Sequence, residues 1–231
     1  MALSNEAMID FSVIIPAYNE EKAIQAIISQ VNNLAIEKEI IVVNDCSKDR
    51  TAEILRLLSF DNLKVIHHAS KRGKGAAVRT GLENATGEFV IIQDADLEYD
   101  PNDYLKLLEA IKKQDVDIVL GARFTGGYHG ILLPKAGNRF LTGLMNLLFG
   151  VKLNDCFTCY KLMRRESILG LGLESNSFDI EIEILAKAIK KKMRILEIPI
   201  SYNPRSYKEG KKTKIGDGLW AAMRILDLRF G

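Results

Sequence analysis

Four acidic side chains follow one apolar run of the 231-residue chain at alternate positions. The run FVII, residues 89–92, is typical of a fully buried strand, and it leads into Asp94, Asp96, Glu98 and Asp100. On an extended chain Asp94 and Asp96 would face the same side, and Glu98 would join them if the strand had not yet turned. Carboxylates this close repel one another unless positive charge lies between them. A divalent cation, Mg²⁺ or Mn²⁺, is the hard ion that such oxygen ligands bind, and water and substrate phosphates would complete its shell.

An ordinary solvated acidic loop is the alternative interpretation of these residues. In that case Asp100 or Asn102 caps the helix predicted over residues 101–113, and the acids bind nothing. The pattern D-x-D alone is a weak signal. Its position directly after an apolar strand, at the mouth of a predicted parallel sheet, favours the metal site.

A metal held this way implies a phosphate-bearing ligand, yet two common phosphate-binding motifs are missing from the sequence. The segment KRGKGAAVRTG contains Gly73, Lys74 and Gly75, but a P-loop requires Ser or Thr where Gly75 stands, and it follows the first strand. No G-x-G-x-x-G follows the first predicted strand, so a dinucleotide fingerprint is also absent. A nucleotide would have to be held in another way.

Strands alternate with helices through the first half of the chain. Apolar runs predict strands at 11–16, 39–43, 63–68, 88–93 and 116–123, and helical patterns predict helices at 20–34, 73–85 and 101–113, with another ending at residue 58. Asn19 is expected to cap the first helix, and Asp49 or Ser47 the second. This alternation predicts a parallel sheet with both faces covered, whose ligands bind beyond the carboxyl ends of the strands. Polar clusters follow those predicted ends.

The second half of the chain is less regular. It predicts a loop and a short strand over 154–166, a strand over 194–202, and helices over 132–148, 178–192 and 215–230. The last helix is basic and amphipathic, a pattern that suits either packing against the domain or a lipid interface. The segment 204–214 is rich in Lys and Arg and is expected to be mobile.

Composition narrows the classes of function. The net charge of +2 is too small to indicate nucleic-acid binding, and 47% hydrophobic with 27% charged residues is typical of a globular protein. Three cysteines form no disulfide framework and indicate reduced thiols in a cytoplasmic protein. The first ten residues lack the features of a signal peptide, and no run of about 18 apolar residues predicts a membrane span.

Six motifs in sequence order resemble glycosyltransferase family 2 with the GT-A fold: IIPAYNE, VVNDCSKDRT, KRGKGAAVRTG, QDADLEYDP, GARF and DCFTCYK. The resemblance is closest to the branch that transfers mannose or glucose to dolichyl or polyprenyl phosphate. It implies an α/β fold with a Rossmann-like, mostly parallel central sheet and helices on both faces. Residues 1–231 would form a single domain, with a nucleotide-sugar-binding half over about 11–123 and an acceptor-binding half, including the C-terminal helix, over about 124–231.

The resemblance also implies roles for matching residues on the donor side. Pro16, Ala17, Tyr18 and Glu20 would line the nucleoside pocket, and Asp45 would hydrogen-bond the base. The donor would be GDP-mannose or UDP-glucose.

The diphosphate of that donor would be held by a metal and by basic residues. The resemblance assigns Mg²⁺ or Mn²⁺ to Asp94, Asp96 and Glu98, although Glu98 stands where this branch usually has Gln. Lys74 and its flanking glycines would border the diphosphate. Arg205 and Lys211, from the basic segment 204–214, would close over it. Asn44, Cys46 and Cys159 are further departures, since they stand where the family commonly has Asp, Gly and Gly.

The implied reaction is an inverting displacement at the anomeric carbon of the sugar, with a nucleoside diphosphate as leaving group. Arg123 and Arg139 would bind the phosphate of a polyprenyl or dolichyl phosphate acceptor, which is already anionic and needs no strong base. Asp179, with Glu181, resembles an acidic pair of the family near the acceptor, and it would act as the base towards a hydroxyl acceptor. The alternative for these acids is a favourable helix N-terminus.

Three hypotheses follow from these observations. The first is a sugar transferase that acts on a prenyl phosphate at the membrane surface, peripheral on its cytoplasmic face. The second is a transferase of the same fold with a sugar hydroxyl as acceptor, as in polysaccharide or glycolipid synthesis. The third is a non-catalytic module that binds a nucleotide sugar.

Overall fold

The structure is a computed structural model that describes residues 11–124, 132–205 and 215–231. The strands are β1 (Phe11–Ala17), β2 (Glu39–Asn44), β3 (Leu63–His67), β4 (Phe89–Ile92), β5 (Ile118–Ala122), β6 (Lys161–Arg164) and β7 (Ile195–Pro199). The helices are α1 (Ile24–Asn32), α2 (Thr51–Leu57), α3 (Lys74–Asn84), α4 (Tyr104–Lys113), α5 (Leu132–Phe149), α6 (Arg165–Leu169), α7 (Ile180–Lys190) and α8 (Ile215–Phe230), and a 3-10 turn (Pro101–Asp103) precedes α4. The predicted elements are confirmed with small shifts at their ends, whereas the short helix α6 was not predicted.

Within the described residues, seven strands form one sheet in the order β3-β2-β1-β4-β6-β5-β7. Consecutive residues are buried along β1, β2, β4 and β5, so side chains on both faces of the sheet are covered. Their Ile, Val and Leu side chains form the core, together with buried residues of the helices. The mixed α/β architecture predicted from the alternating elements is therefore confirmed.

One strand departs from the parallel arrangement. β6 lies between β4 and β5 and runs antiparallel to both, while the pairings β1–β2, β1–β4, β2–β3 and β5–β7 are parallel. The mostly parallel sheet that the family resemblance implies is therefore confirmed, and the antiparallel strand comes from the less regular second half of the chain. The chain between β5 and β6 contains α5, and it returns to the sheet from the opposite direction.

Pro16 lies inside the central strand β1, a position that proline normally avoids because it lacks a backbone N–H. The β1–β4 pairing ends at Ile14, whose carbonyl oxygen accepts a hydrogen bond from Gln93 N over 2.9 Å. Pro16 follows Ile14 by two residues, so its backbone nitrogen points to the same side of β1 as the backbone of Ile14, towards β4. At the level of Pro16, β4 has already ended. No ladder hydrogen bond is lost, and the chain leaves the sheet here to begin the loop that precedes α1.

The observed caps of α1 and α2 differ from the predicted ones. α2 has Arg50 at its capping position and no side-chain cap, although Asp49 Oδ1 accepts a hydrogen bond from Thr51 N over 3.0 Å beside it. Asn19 does not cap α1, which has Ala23 at the capping position and no side-chain cap. Asn19 instead adopts a left-handed backbone with φ 54°, and its Oδ1 accepts from Lys48 N over 2.8 Å. This bond joins the loop after β1 to the loop after β2.

A membrane-spanning helix is not found among the described residues, since none of their helices combines the required length with enough apolar character.

Candidate active site

The candidate site lies at the carboxyl ends of β1 and β4, where the order of strands changes direction. From β1 the chain adds β2 and β3 on one side, and it then crosses to place β4 on the other side. In open α/β sheets the crevice at such a switch point is the usual ligand site. The loop that begins at Tyr18 and the acidic residues that follow β4 both lie at this crevice.

The acids after β4 come together through a turn and not along an extended strand. The chain turns at Ala95 and Asp96, and Leu97 has a left-handed backbone with φ 63°. Glu98 N donates a hydrogen bond to Asp96 Oδ1 over 3.2 Å, which closes the turn. The expectation that an extended chain would place these side chains on one side is therefore wrong, although the turn still brings them to one edge of the sheet.

Lys74 supplies one positive charge to this acidic turn. Its Nζ lies 2.6 Å from Asp94 Oδ1, and only 11% of the Lys74 side chain is exposed. Burial by itself lowers the pKa of Lys74, but Asp94, Cys159 and Glu181 together raise that pKa well above its ordinary value. Burial likewise raises the pKa of Asp94, and Lys74 outweighs that effect and lowers it. Lys74 and Asp94 thus form an ammonium–carboxylate pair.

Arg205 supplies the second positive charge. Its guanidinium lies 2.7 Å from Asp96 (Nη2–Oδ2), 3.4 Å from Glu98 (Nε–Oε1) and 3.6 Å from Glu20 (Nη1–Oε2). A backbone hydrogen bond also connects the segment before Arg205 to the acidic turn, since Asn203 N donates to Glu98 O over 2.8 Å. The contact of Arg205 with a bound diphosphate stays a prediction. Lys211, for which the same contact was predicted, lies outside the described residues.

The predicted metal set of three carboxylates is not assembled in the part of the chain that the structure describes, where no three His, Cys, Asp or Glu side chains are arranged to hold an ion. The reason is that Glu98 turns towards other partners, accepting hydrogen bonds from the hydroxyl of Tyr202 and from Arg205 N. Asp94 and Asp96 remain, and Mg²⁺ usually takes only one or two protein carboxylates.

The surroundings of Asp96 fit a bound cation. Burial, followed by the nearby charges of Asp94 and Glu98, raises the pKa of Asp96 to about 7, against the opposing effect of Arg205. A carboxylate in this position is stabilised by one more positive charge. The donor set of two acidic side chains at a strand end therefore suits Mg²⁺ or Mn²⁺.

The residues predicted to line a nucleoside pocket lie at the end of β1 and on the loop after it, next to the start of α2, and their contact with a nucleoside stays a prediction. Glu20 N donates to Thr51 Oγ1 over 2.9 Å, and Lys71 Nζ lies 3.9 Å from the centre of the Tyr18 ring. Pro16 and Ala17 end β1 directly before that loop. Lys71 comes from the loop after β3, and its proximity to Tyr18 depends on the fold and was not predicted.

Asp45, predicted to bind the base, is buried and makes three hydrogen bonds inside the protein. Its Oδ1 lies 2.8 Å from both His68 Nδ1 and Arg72 N, and its Oδ2 accepts from Gly73 N over 2.7 Å. Burial raises the pKa of Asp45, but these hydrogen bonds outweigh it and lower the pKa below its ordinary value. In this arrangement Asp45 shapes the loop that leads to α3, and its contact with a base stays a prediction.

The glycines beside Lys74 allow a close approach of two backbones. Gly75 N donates to Asn176 O over 3.0 Å, and a Cβ added at Gly73 or Gly75 would lie 2.1 or 2.2 Å from the carbonyl oxygens of Asn176 or Ser175. The N-terminus of α3 is thus occupied by the loop before α7. The expectation that these glycines border a diphosphate stays untested, whereas Lys74 does face the acidic turn.

Arg123, predicted to bind the acceptor phosphate, forms a buried pair with Asp155. Its Nε and Nη2 donate to the two carboxylate oxygens over 2.7 and 2.8 Å, and Asn138 Nδ2 donates to Asp155 Oδ1 over 3.1 Å. This pair ties the end of β5 to the loop before β6. Arg139 is exposed on α5, next to Asn138. The roles of Arg123 and Arg139 towards a phosphate stay predictions.

Asp179 lies immediately before α7 and pairs with the last helix. Its Oδ2 lies 3.1 Å from Arg224 Nε, and its buried Oδ1 makes no hydrogen bond to a described residue. Arg224 Nη2 also donates to Ser175 Oγ over 3.3 Å. The sequence analysis did not predict a place in the site for Asp155, Tyr202 or Arg224. Their partners lie 32 or more residues away along the chain, so no local pattern indicates these contacts.

Comparison with known proteins places this geometry in a family. A model described as glycosyl transferase family 2 matches residues 12–171. Dolichol-phosphate mannosyltransferase from Pyrococcus furiosus is 32% identical over 210 residues, which cover 87% of this chain and 58% of that protein, so the chain spans little more than half its length. UDP-N-acetylglucosamine–dolichyl-phosphate N-acetylglucosaminyltransferase from Methanococcus voltae is 29% identical. The alignment covers 95% of this chain and 96% of that protein.

Among solved structures, glucosyl-3-phosphoglycerate synthase from Mycobacterium tuberculosis, in a complex with Mn²⁺, uridine diphosphate and phosphoglyceric acid, has a similar fold. The TM-score is 0.74, with 18% sequence identity over 96% of this chain and 78% of that one. At this identity the likeness concerns the fold, and it confirms the predicted GT-A architecture.

Proposed function

Because the chain belongs to glycosyltransferase family 2, we propose that it transfers a hexose from a nucleotide-diphosphate sugar to a polyprenyl or dolichyl phosphate, with inversion at the anomeric carbon. The observation that carries this proposal is the acidic turn after β4, which lies at the switch point of the sheet and is paired with Lys74 and Arg205. GDP-mannose or UDP-glucose is the proposed donor. Relatives named for different sugars, mannose and N-acetylglucosamine, support the lipid phosphate more strongly than any one hexose.

The donor side would use the chain's own charges to hold the diphosphate. Asp94 and Asp96 would hold Mg²⁺ or Mn²⁺, which when bound supplies electrostatic stabilisation of the charge that grows on the leaving diphosphate. Lys74 and Arg205 carry positive charge at the same crevice, and this charge lowers the repulsion between an anionic acceptor and an anionic donor. Tyr18, on the loop after β1, would contact the nucleoside.

The acceptor side has a surface suited to a lipid. α5 and α8 pack against each other, and both expose large apolar side chains. Phe140 and Leu147 of α5 are 69% and 80% exposed, and Leu219 and Met223 of α8 are 69% and 53% exposed. α8 also buries Ala221 and Ile225, so it packs on the domain and presents an apolar face to solvent. That face supports the interpretation of α8 as a lipid interface, which stays a proposal. Contact with the cytoplasmic face of a membrane would place the site near a prenyl phosphate.

A hydroxyl acceptor is the second candidate, and Asp179 is the observation that favours it. Its carboxylate Oδ1, which has no hydrogen-bond partner among the described residues, could accept the proton of a sugar hydroxyl, while Arg224 holds the other oxygen. A phosphate acceptor needs no such base, because its oxygen is already anionic. The non-catalytic module is disfavoured, since Asp94 and Asp96 are both retained at the crevice.

A transfer assay distinguishes these functions. The protein is incubated with Mn²⁺, labelled GDP-mannose or UDP-glucose, and either a short prenyl phosphate or a soluble sugar. We expect label in the prenyl phosphate and none in the sugar. Transfer to the sugar alone would establish the hydroxyl acceptor, and tight nucleotide-sugar binding without transfer to any acceptor would support the non-catalytic module.

A further inference from the structure

Four charges of alternating sign lead from the centre of the sheet to the acidic turn, and their exposure increases outwards from the fully buried Lys161 to the partly exposed Asp94. Lys161 Nζ lies 2.6 Å from Glu181 Oε2, at the inner end. Glu181 Oε1 lies 3.0 Å from Lys74 Nζ. Lys74 Nζ then reaches Asp94 Oδ1 over 2.6 Å. Each inner charge therefore has an opposite charge on both sides, and we call these four residues the charge row.

The inner end of the charge row is anchored in the sheet. Lys161 is the first residue of β6, which pairs with both neighbouring strands, and it lies opposite Leu120 of β5. Its side chain is fully buried, and its Nζ also donates to the carbonyl oxygen of Thr158. A buried ammonium is destabilising unless it is paired. The position of Lys161 therefore determines where the carboxylate of Glu181 lies.

The carboxylate of Glu181 is shared between two ammonium groups, and the two contacts differ. Oε2 accepts a hydrogen bond from Lys161, whereas Oε1 faces Lys74 as an ion pair without hydrogen-bond geometry. Lys74 lies closer to Asp94 than to Glu181, at 2.6 Å against 3.0 Å. Lys161 thus limits the attraction of Glu181 for Lys74 and leaves the ammonium of Lys74 beside the acidic turn.

We propose that Lys161 is a positioning residue: by pairing with Glu181, it keeps the ammonium of Lys74 where the donor diphosphate binds. This inference rests on the proposed function, because Lys74 meets a diphosphate only if a nucleotide sugar binds at the acidic turn. Lys74 is the group that touches the ligand, and Lys161 acts on it by neutralising the pull of Glu181. Without the charge of Lys161, Glu181 attracts Lys74 more strongly and draws it away from the diphosphate.

The sequence carries a signal for this role. Lys161 interrupts the apolar pattern of a short strand, and lysine is almost never fully buried unless it is paired. A lysine buried inside such a strand would therefore need a carboxylate as its partner. What the sequence does not show is that the same carboxylate also faces Lys74.

The test measures the affinity for GDP and for UDP by calorimetry in the presence of Mn²⁺. Lys161→Met removes the charge and keeps the volume of the side chain, and it should weaken binding about tenfold, the lower end of the effect of residues that orient a binding group. Adding Glu181→Gln to that variant removes the competing carboxylate and should restore most of the affinity. Thermal unfolding shows that each variant is folded. If Lys161→Met does not fold, Lys161→Gln takes its place with the same expectation.

A second buried lysine provides a matched control. Lys38 is 6% exposed, and its Nζ donates to the carbonyl oxygens of Asn32, Leu34 and Ile36, before β2 and away from the carboxyl ends of the strands. Lys38→Met should lower the unfolding temperature and leave nucleotide affinity unchanged.

The outcomes separate the inference from the function on which it rests. Unchanged nucleotide affinity in Lys161→Met, with normal binding by the wild-type protein, overturns the positioning role and leaves the proposed function intact. An equal loss in Lys161→Met and in the double variant also overturns it, because that pattern is general destabilisation. Absence of nucleotide binding by the wild-type protein overturns both.

Discussion

Arg205 Nη2 donates a hydrogen bond to Asp96 Oδ2 over 2.7 Å, although the two residues are 109 positions apart in the sequence. The positive charge that the acids after β4 require is thus supplied by the chain itself, from Arg205 on one side and from Lys74 on the other. A divalent cation bound by Asp94 and Asp96 would share these carboxylates with the two basic side chains. Metal binding and the position of Arg205 are therefore coupled.

Arg205→Gln should change metal and nucleotide binding in opposite directions. Removing the guanidinium should strengthen the binding of Mn²⁺ alone about tenfold, because Glu20, Asp96 and Glu98 lose a competing cation; tenfold corresponds to about 1.4 kcal/mol. Binding of GDP or UDP with Mn²⁺ should weaken by a similar factor, since a positive charge beside the diphosphate is lost. Electron paramagnetic resonance measures free Mn²⁺, and calorimetry measures the nucleotide.

Arg194→Gln is the control for that experiment, because Arg194 pairs with Asp115 and Asp117 and not with the acidic turn. Both affinities should stay at their wild-type values. Weaker Mn²⁺ binding in Arg205→Gln would contradict the competition between Arg205 and the metal.

Two glycine substitutions in helices should have opposite effects on stability. Gly75→Ala places a Cβ 2.2 Å from the carbonyl oxygen of Ser175, and it should lower the free energy of unfolding by about 2 kcal/mol, as overpacking does. Gly143 lies in α5 with no atom within 4 Å of an added Cβ, so Gly143→Ala should raise the free energy of unfolding by about 0.8 kcal/mol through helix propensity. Urea denaturation measures both. Equal effects would contradict the close approach of α3 and the loop before α7.

Asp155→Asn should destabilise the protein in a pH-dependent manner. Burial raises the pKa of Asp155, but Arg123 outweighs it and lowers the pKa below its ordinary value. The ion pair therefore contributes its full stability above the unfolded pKa of about 4, and this contribution is lost as pH falls through the lower folded pKa. Asp155→Asn should lower the free energy of unfolding by about 3 kcal/mol at pH 7, because it leaves Arg123 buried without its charge partner.

Denaturation of both proteins along a pH series checks that expectation. The difference between wild type and Asp155→Asn should shrink as the pH falls below about 4. A difference that is constant with pH would show that the carboxylate charge of Asp155 does not stabilise the fold.

Substitution on the exposed face of α8 should reduce binding to membranes. Met223→Asp places a charge on an apolar side chain that is 53% exposed, and it should weaken sedimentation with anionic vesicles about tenfold. Leu105→Asp is the matched control, because Leu105 is 56% exposed on α4. Loss of vesicle binding in both variants, or in neither, would argue against a specific role of the α5–α8 surface.

The sequence predicts the elements of this fold well because their signals are local. Apolar runs and helical periodicity place nearly every strand and helix, and the order of motifs indicates the family. The antiparallel insertion of β6 was not predicted, since the direction of a strand depends on how the whole chain returns to the sheet. The turn at Leu97 was also missed, because a left-handed backbone at a leucine has no reliable sequence signal.

The sequence identified several residues that lie at the site, but it did not predict most of the contacts that those residues make. Asp94, Asp96, Lys74 and Arg205 do lie together, as the motifs suggest. Arg123 was expected to face a ligand, and its bidentate pair with Asp155 depends on a loop 32 residues away. A buried charged residue pairs with an opposite charge that is close in space, and the spacing of residues in the sequence does not reveal which residue supplies that charge.

The most direct measurement of the central claim is the Mn²⁺-dependent binding of GDP and UDP to the wild-type protein, Asp96→Asn and Asp100→Asn. Asp100 lies four residues from Asp96, but its side chain accepts a hydrogen bond from Asn102 N at the start of the 3-10 turn. The account predicts that wild type and Asp100→Asn bind a nucleoside diphosphate tightly only with Mn²⁺, and that Asp96→Asn stays folded and loses this dependence. Equal Mn²⁺-dependent binding by Asp96→Asn and the wild-type protein would contradict it.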